Sequence, residues 1–156
     1  MPTSREPDRV AGTYVLILHH DRARSLKVGS LGSIAVDPGW FAYVGSAFGP
    51  GGVAARCRHH HLVSDSPHWH IDYLRAVTSL QQIWFSHDQQ RREHQWSELL
   101  GRSRGAKRPH SGFGASDCDC SSHLFHFCSI PSFEGFRRRA YRELKGQAAI
   151  RVEGIE

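Results

Sequence analysis

FAYVGSAFGPGGVAARCRHHH, residues 41–61, decides the fold. An apolar run reaches Tyr43-Val44-Gly45 with strand character. Gly49-Pro50-Gly51-Gly52 interrupts it, and a segment carrying Arg56, Arg58 and the triplet His59-His60-His61 follows. Strand, glycine turn, then helix over 51–62 is the reading. In such a helix Arg56 and His60 stand four apart and share one face.

Upstream, GTYVLIL (residues 12–18) is a β-rich apolar run opened by glycine and closed by histidines, and it reads as a buried strand. GTY is the natural sheet neighbour of YVG, which brings Tyr14 beside Tyr43. Between them SLKVG and SIAV read as two short strands around Leu31-Gly32, an inserted hairpin, and the DPG turn at 37–39 leads into the second tyrosine strand. Downstream, HWHIDYLRAV reads as a helix, LQQIWFS as a strand, RREHQWSELLGR as a helix and HLFHFC as a last strand. SFEGFRRRAYRELKG is a helix with Ser132 as N-cap and Gly146 as stop. Strands first, then helices mixed with strands, predict an α+β fold: a small, mainly antiparallel sheet flanked by helices. The expected organisation is a flexible leader over 1–10, one domain over 11–146 and a tail over 147–156.

The composition narrows the function classes. At 156 residues the chain can build one hydrophobic core, and with 39% hydrophobic and 22% charged residues it has the balance of an ordinary globular protein. No apolar run approaches the ~20 residues that span a bilayer. The opening MPTSREPDRV has no apolar core of signal-peptide type, so a cytoplasmic setting with reduced thiols at Cys57, Cys118, Cys120 and Cys128 is expected. A net charge of +5 suits contact with phosphate, although basic proteins also use such charge for solubility alone.

The tyrosines, Arg56 and His60 then suggest a chemistry. Arginine binds phosphate bidentately, a phenol can hand its proton to a base, and histidine is the usual base near neutral pH. A carboxylate would hold a divalent metal against the phosphate.

This set of motifs resembles the GIY-YIG nuclease superfamily. Gly12-Thr13-Tyr14 stands at the first signature, with threonine where isoleucine is usual, and Tyr43-Val44-Gly45 matches the second. RCRHH supplies the arginine and histidine that follow, at Arg56 and His60. The strings YVGSA, GPGG, HWHIDYL and GFGASDCDCSSHLF are similar to a branch also found fused to endonuclease III-type glycosylases, over residues 12 to about 128. The resemblance implies metal-dependent DNA endonuclease chemistry in repair or processing. It assigns catalytic roles to Tyr14, Tyr43, Arg56 and His60. Glu93 would be the ligand of one Mg²⁺ or Mn²⁺, with Glu98 as the alternative. DNA is the implied partner, with a repair glycosylase as a further one.

Arg58 and the run Arg137-Arg138-Arg139 are the expected DNA-contacting cations, although such a run is also a common solvated helix face. The tyrosines can equally be sheet-packing residues, Arg56 a surface residue, His60 a solvated one, and Glu93 a first-turn acid that favours its helix dipole. In HWHIDYL, His70 and Asp72 are two apart and do not share a helix face; Trp69, Tyr73 and Leu74 read as core. Cys118, Cys120 and His123 offer three soft ligands for zinc, or else a pair of small loop-anchoring cysteines. Three classes stay open: a phosphodiesterase on DNA, a non-cutting DNA-binding module on the same fold, and a zinc- or nickel-binding protein.

Overall fold

Strand β1 (Gly12–His20) carries an unbroken apolar run, Tyr14 to Leu18, because both its faces are covered. It is the middle strand of a five-stranded sheet in a computed structural model that describes residues 6–110, 113 and 122–155. On one side β1 pairs with β4 (Gly39–Ala47), and beyond it lies β6 (Leu124–Phe127). On the other side stand β5 (Ser79–Ser86) and then β7 (Ile150–Gly154). All these pairings are antiparallel. The inserted hairpin is present as β2 (Arg24–Lys27) and β3 (Ser33–Val36), paired from Arg24↔Val36 to Lys27↔Ser33.

Side-chain alternation along β1 sorts the core into two layers. Tyr14, Leu16 and Leu18 face α1 (Gly52–His61), α2 (His70–Arg75) and the hairpin, packing with Val53, Cys57, Ile71, Leu74, Ile34 and Val36. Val15 and Ile17 face α3 (Glu93–Gly101) and α4 (Phe133–Glu143), packing with Trp84, Trp96, Leu99 and Phe136. Among the described residues no helix is long and apolar enough to cross a membrane.

Two expectations from the sequence are corrected. The segment 147–156, read as a tail, contains β7, which covers the edge of β5 from Gln82↔Gly154 to Ser86↔Ile150. The apolar residues of β7 are only Ile150 and Val152, too few to announce a strand. What holds it is long-range: Ile150 donates its N–H to Tyr141 Oη at 2.7 Å, and Trp96 Nε1 donates to Gln147 Oε1 at 2.9 Å.

The leader is also tied down where it is described. Helix α1 begins after Gly51 without a side-chain cap, so its first N–H groups need other acceptors. Val53 and Ala54 donate to the carbonyls of Val10 and Asp8 at 2.9 and 3.0 Å. By contrast, Ser132 caps α4 as expected, accepting from the Gly135 N–H at 3.0 Å.

Candidate active site

The glycines of the two tyrosine motifs make room. Tyr14 lies opposite Gly45 across the β1–β4 ladder, and Tyr43 lies opposite Leu16, so both phenols leave the same face. A Cβ on Gly45 would overlap the Tyr14 ring, and one on Gly12 would overlap the Ser86 carbonyl. Both positions therefore exclude a side chain by close approach.

From α1, His60 points at the tyrosine of β1. Tyr14 Oη and His60 Nε2 are 2.7 Å apart, and His60 is 1% exposed. The Tyr43 ring meets His60 edge-on with centroids 6.5 Å apart. One turn earlier, the Arg56 guanidinium lies 4.3 Å from the Trp69 ring centroid. Glu93 opens α3 and brings its carboxylate within 3.8 Å of His123 Nδ1. Tyr14, Tyr43, Arg56, His60, Glu93 and His123 all line one cavity of about 650 Å³. A second cavity, about 690 Å³, lies at α4 and is lined by Trp84, Leu100, Phe127 and Phe136 with Arg104, Lys107 and Arg139; it gathers no comparable acid–base set.

The HWHIDYL motif builds the wall behind Arg56. Asp72 Oδ2 accepts the N–H groups of His68 and Trp69 at 2.9 and 3.0 Å, and Oδ1 meets His59 Nε2 at 2.8 Å. His59 in turn packs edge-on against Trp69 at 4.9 Å. Trp69, read from the sequence as core, is half-buried against the core and held as a platform by Asp72 of α2 and His59 of α1. His70 lines the cavity and meets Phe113 at 5.6 Å.

A family model described as a domain of unknown function, DUF123, matches residues 13–146. The chain belongs to the DUF123 family. No curated protein and no solved structure matches it. The DUF123 match runs from the residue before Tyr14 through α4, so every cavity residue named above falls inside it, while β7 lies beyond it.

Other expected site residues of this DUF123 domain are dispersed. Glu98 is 72% exposed, sits 3.9 Å from Arg102 and does not line the cavity. Arg58 is exposed on α1. Arg137 pairs with Glu134 at 2.6 Å, Arg138 is exposed, and Arg139 donates to Leu99 O and Ser103 Oγ; their helix packs on the sheet face opposite Tyr14. Cys118 and Cys120 lie outside the described residues; their expected zinc companion His123 is at Glu93. His59, His60 and Asp72 form a metal-capable cluster, with ligand atoms within 4.8 Å of one another. In it Asp72 already serves backbone donors and His59, and His60 serves Tyr14.

The electrostatics keep the pair at the cavity wall neutral. Burial first, then Tyr43, raises Tyr14 well above the ordinary phenol range, and Arg56 only partly opposes this. Burial, reinforced by His59, holds His60 down to about 3. Burial also lowers His123 to about 4, with His94 adding to the shift. Unfolded His60 takes up a proton near pH ~6.5 and the folded form does not, so the unfolded state binds more protons below that pH. Stability is full above pH ~6.5 and falls as pH drops toward 3. Thermal unfolding by circular dichroism should give a Tm that falls from pH 7 to 5, with a shallower slope in His60→Gln. An equal slope in both would remove His60 as a cause.

Proposed function

We propose that this domain is of GIY-YIG type and hydrolyses DNA phosphodiester bonds with the help of one divalent metal ion. The observation that carries the reading is the 2.7 Å contact between Tyr14 Oη and His60 Nε2 on the wall of a cavity that Arg56 and Glu93 also line. Neutral His60 accepts the Tyr14 proton in that contact, which leaves the phenol oxygen able to accept one from water. As water attacks phosphorus and the bond to the leaving sugar oxygen breaks, the water's proton passes to the Tyr14 oxygen while the phenol proton passes to His60 Nε2. The leaving oxygen takes up a proton from solvent, to which His60 then returns its own. The negative phosphate offsets the neighbouring cations and makes the transfer to His60 easier.

The Arg56 guanidinium sits over the Trp69 ring, 4.3 Å from its centroid, and its N–H groups suit two phosphate oxygens. Tyr43 orients the water or the phosphate from the adjacent strand. The Glu93 carboxylate, 22% exposed and beside an imidazole, is an oxygen donor suited to a divalent cation. Bound there, Mg²⁺ or Mn²⁺ would supply charge neutralisation at the phosphate. Arg58 provides a further phosphate contact on α1, whereas Arg137 and Arg138 would meet only DNA that reaches around the sheet.

Nicking of supercoiled plasmid tests this directly. Tyr14→Phe keeps the ring and removes the proton carrier, so turnover should drop by on the order of 10²-fold. If the wild type binds the plasmid yet leaves it intact with both Mg²⁺ and Mn²⁺, the domain is a non-cutting DNA-binding module.

A further inference from the structure

The two ring nitrogens of His60 have different surroundings. Nε2 meets Tyr14 Oη at 2.7 Å, whereas Nδ1 is buried with no hydrogen-bond partner among the described residues. A buried polar atom left unpaired is costly, so this nitrogen calls for an explanation. Beside it stand His59 and Asp72, and one ligand atom from each of the three residues lies within 4.8 Å of the other two. The groups that would support such ligands are in place as well. The His68 and Trp69 amides hold Asp72 Oδ2, Tyr14 holds His60 Nε2, and the His59 ring packs on Trp69. Metal-binding imidazoles and carboxylates have their remaining polar atoms fixed in this way.

The cluster is also within reach of solvent. His60 and Asp72 are buried, but the His59 side chain is 35% exposed and borders a small cavity of about 160 Å³ shared with Arg56 and Trp69. His59 Nε2 and Asp72 Oδ1 are 2.8 Å apart. Neighbouring ligands of a tetrahedral ion, each at ~2.1 Å, stand ~3.4 Å apart, so this pair must part by roughly half an ångström.

We propose that His59, His60 and Asp72 bind one Zn²⁺, with His60 Nδ1 as a ligand, and that the ion makes His60 Nε2 a hydrogen-bond donor to Tyr14. Two imidazoles, one carboxylate and a water complete the tetrahedron that zinc takes, whereas Mg²⁺ prefers oxygen and keeps its waters. A neutral imidazole carries one ring proton. When zinc takes Nδ1, that proton resides on Nε2, which donates to the Tyr14 oxygen and can no longer accept the phenol proton. Zinc would thus switch off the base of the relay. The switching rests on the nuclease reading above; the metal site does not.

The test begins without DNA. Zn²⁺ is titrated into the protein against a chromogenic chelator, and the histidine ring nitrogens are followed by long-range ¹H–¹⁵N magnetic resonance. His59→Gln should weaken one equivalent of Zn²⁺ by about 10-fold or more, Glu93→Gln should leave it in place, and excess Mg²⁺ should not displace it. In the wild type, Zn²⁺ should move the His60 Nδ1 resonance to that of a metal-bound nitrogen and leave Nε2 protonated. No bound Zn²⁺, equal binding by wild type and His59→Gln, or displacement by Mg²⁺ overturns the proposal. So does loss of the ion in Glu93→Gln, or in Cys118→Ser with His60 unmoved. Should His59→Gln fail to fold, the wild-type spectrum decides alone: a shifted Nδ1 supports the site, and an unshifted one overturns it.

Plasmid nicking then separates the site from the reaction. Saturating Zn²⁺ should slow Mg²⁺-dependent nicking by on the order of 10²-fold in the wild type and far less in His59→Gln, each measured against its own zinc-free rate. Undiminished nicking with zinc on His60 overturns the switching. Zinc on His60 in a protein that never nicks DNA supports the site and removes the nuclease reading.

Discussion

Arg56→Ala and Glu93→Gln are each expected to reduce metal-dependent plasmid nicking by on the order of 10²-fold or more, with binding affected less than turnover. In the proposed reaction both groups would face the charge that develops at the phosphodiester, so each would act mainly in the transition state. Neither holds up the core. Arg56 is half-buried on a tryptophan face, and Glu93 sits at the start of α3 with 22% of its side chain exposed. The far-ultraviolet circular dichroism of both variants should therefore match the wild type. Because the two serve one constellation, the double variant should be little slower than either single. Folded Glu93→Gln with full activity would remove the proposed metal ligand.

Arg92→Ala carries the largest expected stability effect. The Arg92 side chain is 2% exposed and ties three segments together: Nε donates to Asp88 Oδ2 at 3.0 Å, Nη1 to Gln95 Oε1 at 3.0 Å and Nη2 to the Lys145 carbonyl at 2.8 Å. Asp88, itself 6% exposed, also accepts the Ala148 N–H at 3.0 Å and the Gln90 N–H at 3.0 Å. Removing the guanidinium leaves a buried carboxylate short of its countercharge, which costs ~3–5 kcal/mol. At ~2–4 °C per kcal/mol for a chain of this size, Tm should fall by about 10 °C.

The pH dependence has a definite sign. Burial alone would raise the Asp88 pKa, but the Ala148 and Gln90 amides and Arg92 outweigh it and hold the carboxyl below the usual range. A lowered folded-state pKa stabilises above the unfolded value, ~3.9, and that stability disappears as pH falls through the folded one. The gap between wild type and Arg92→Ala in urea unfolding should accordingly be widest at pH 7 and narrow toward pH 3. A constant gap would mean that the loss is packing and not charge.

What was legible in the sequence was local. The β1–turn–helix run, the neighbouring tyrosines, the shared face of Arg56 and His60 and the hairpin between the two motifs all follow from periodicities and glycine turns a few residues long. The same residues brought the family resemblance. What escaped was long-range. Nothing within QAAIRVEGIE announces a strand, because β7 is held by Tyr141, by β5 and by the contacts around Gln147. Asp72 could not be placed by helix geometry, since its partners are two backbone amides before its helix and a histidine on α1. His123 grouped with the cysteines by spacing, whereas among the described residues it lies 3.8 Å from Glu93, thirty residues earlier in the chain.

The middle position of β1 has a consequence for motion. Its backbone amides and carbonyls are bonded to strands on both sides, so they reach solvent only when the sheet opens as a whole. In hydrogen–deuterium exchange, the amides around Tyr14 should be among the last to take up deuterium. Arg56 and Trp69 ride instead on a ten-residue helix and at the cap of a six-residue one, elements that can open locally at lower free energy. One wall of the cavity is thus an anvil and the other a hinged jaw. A substrate that does not fit at first contact would be accommodated by movement of α1 and α2, while the phenol keeps its place.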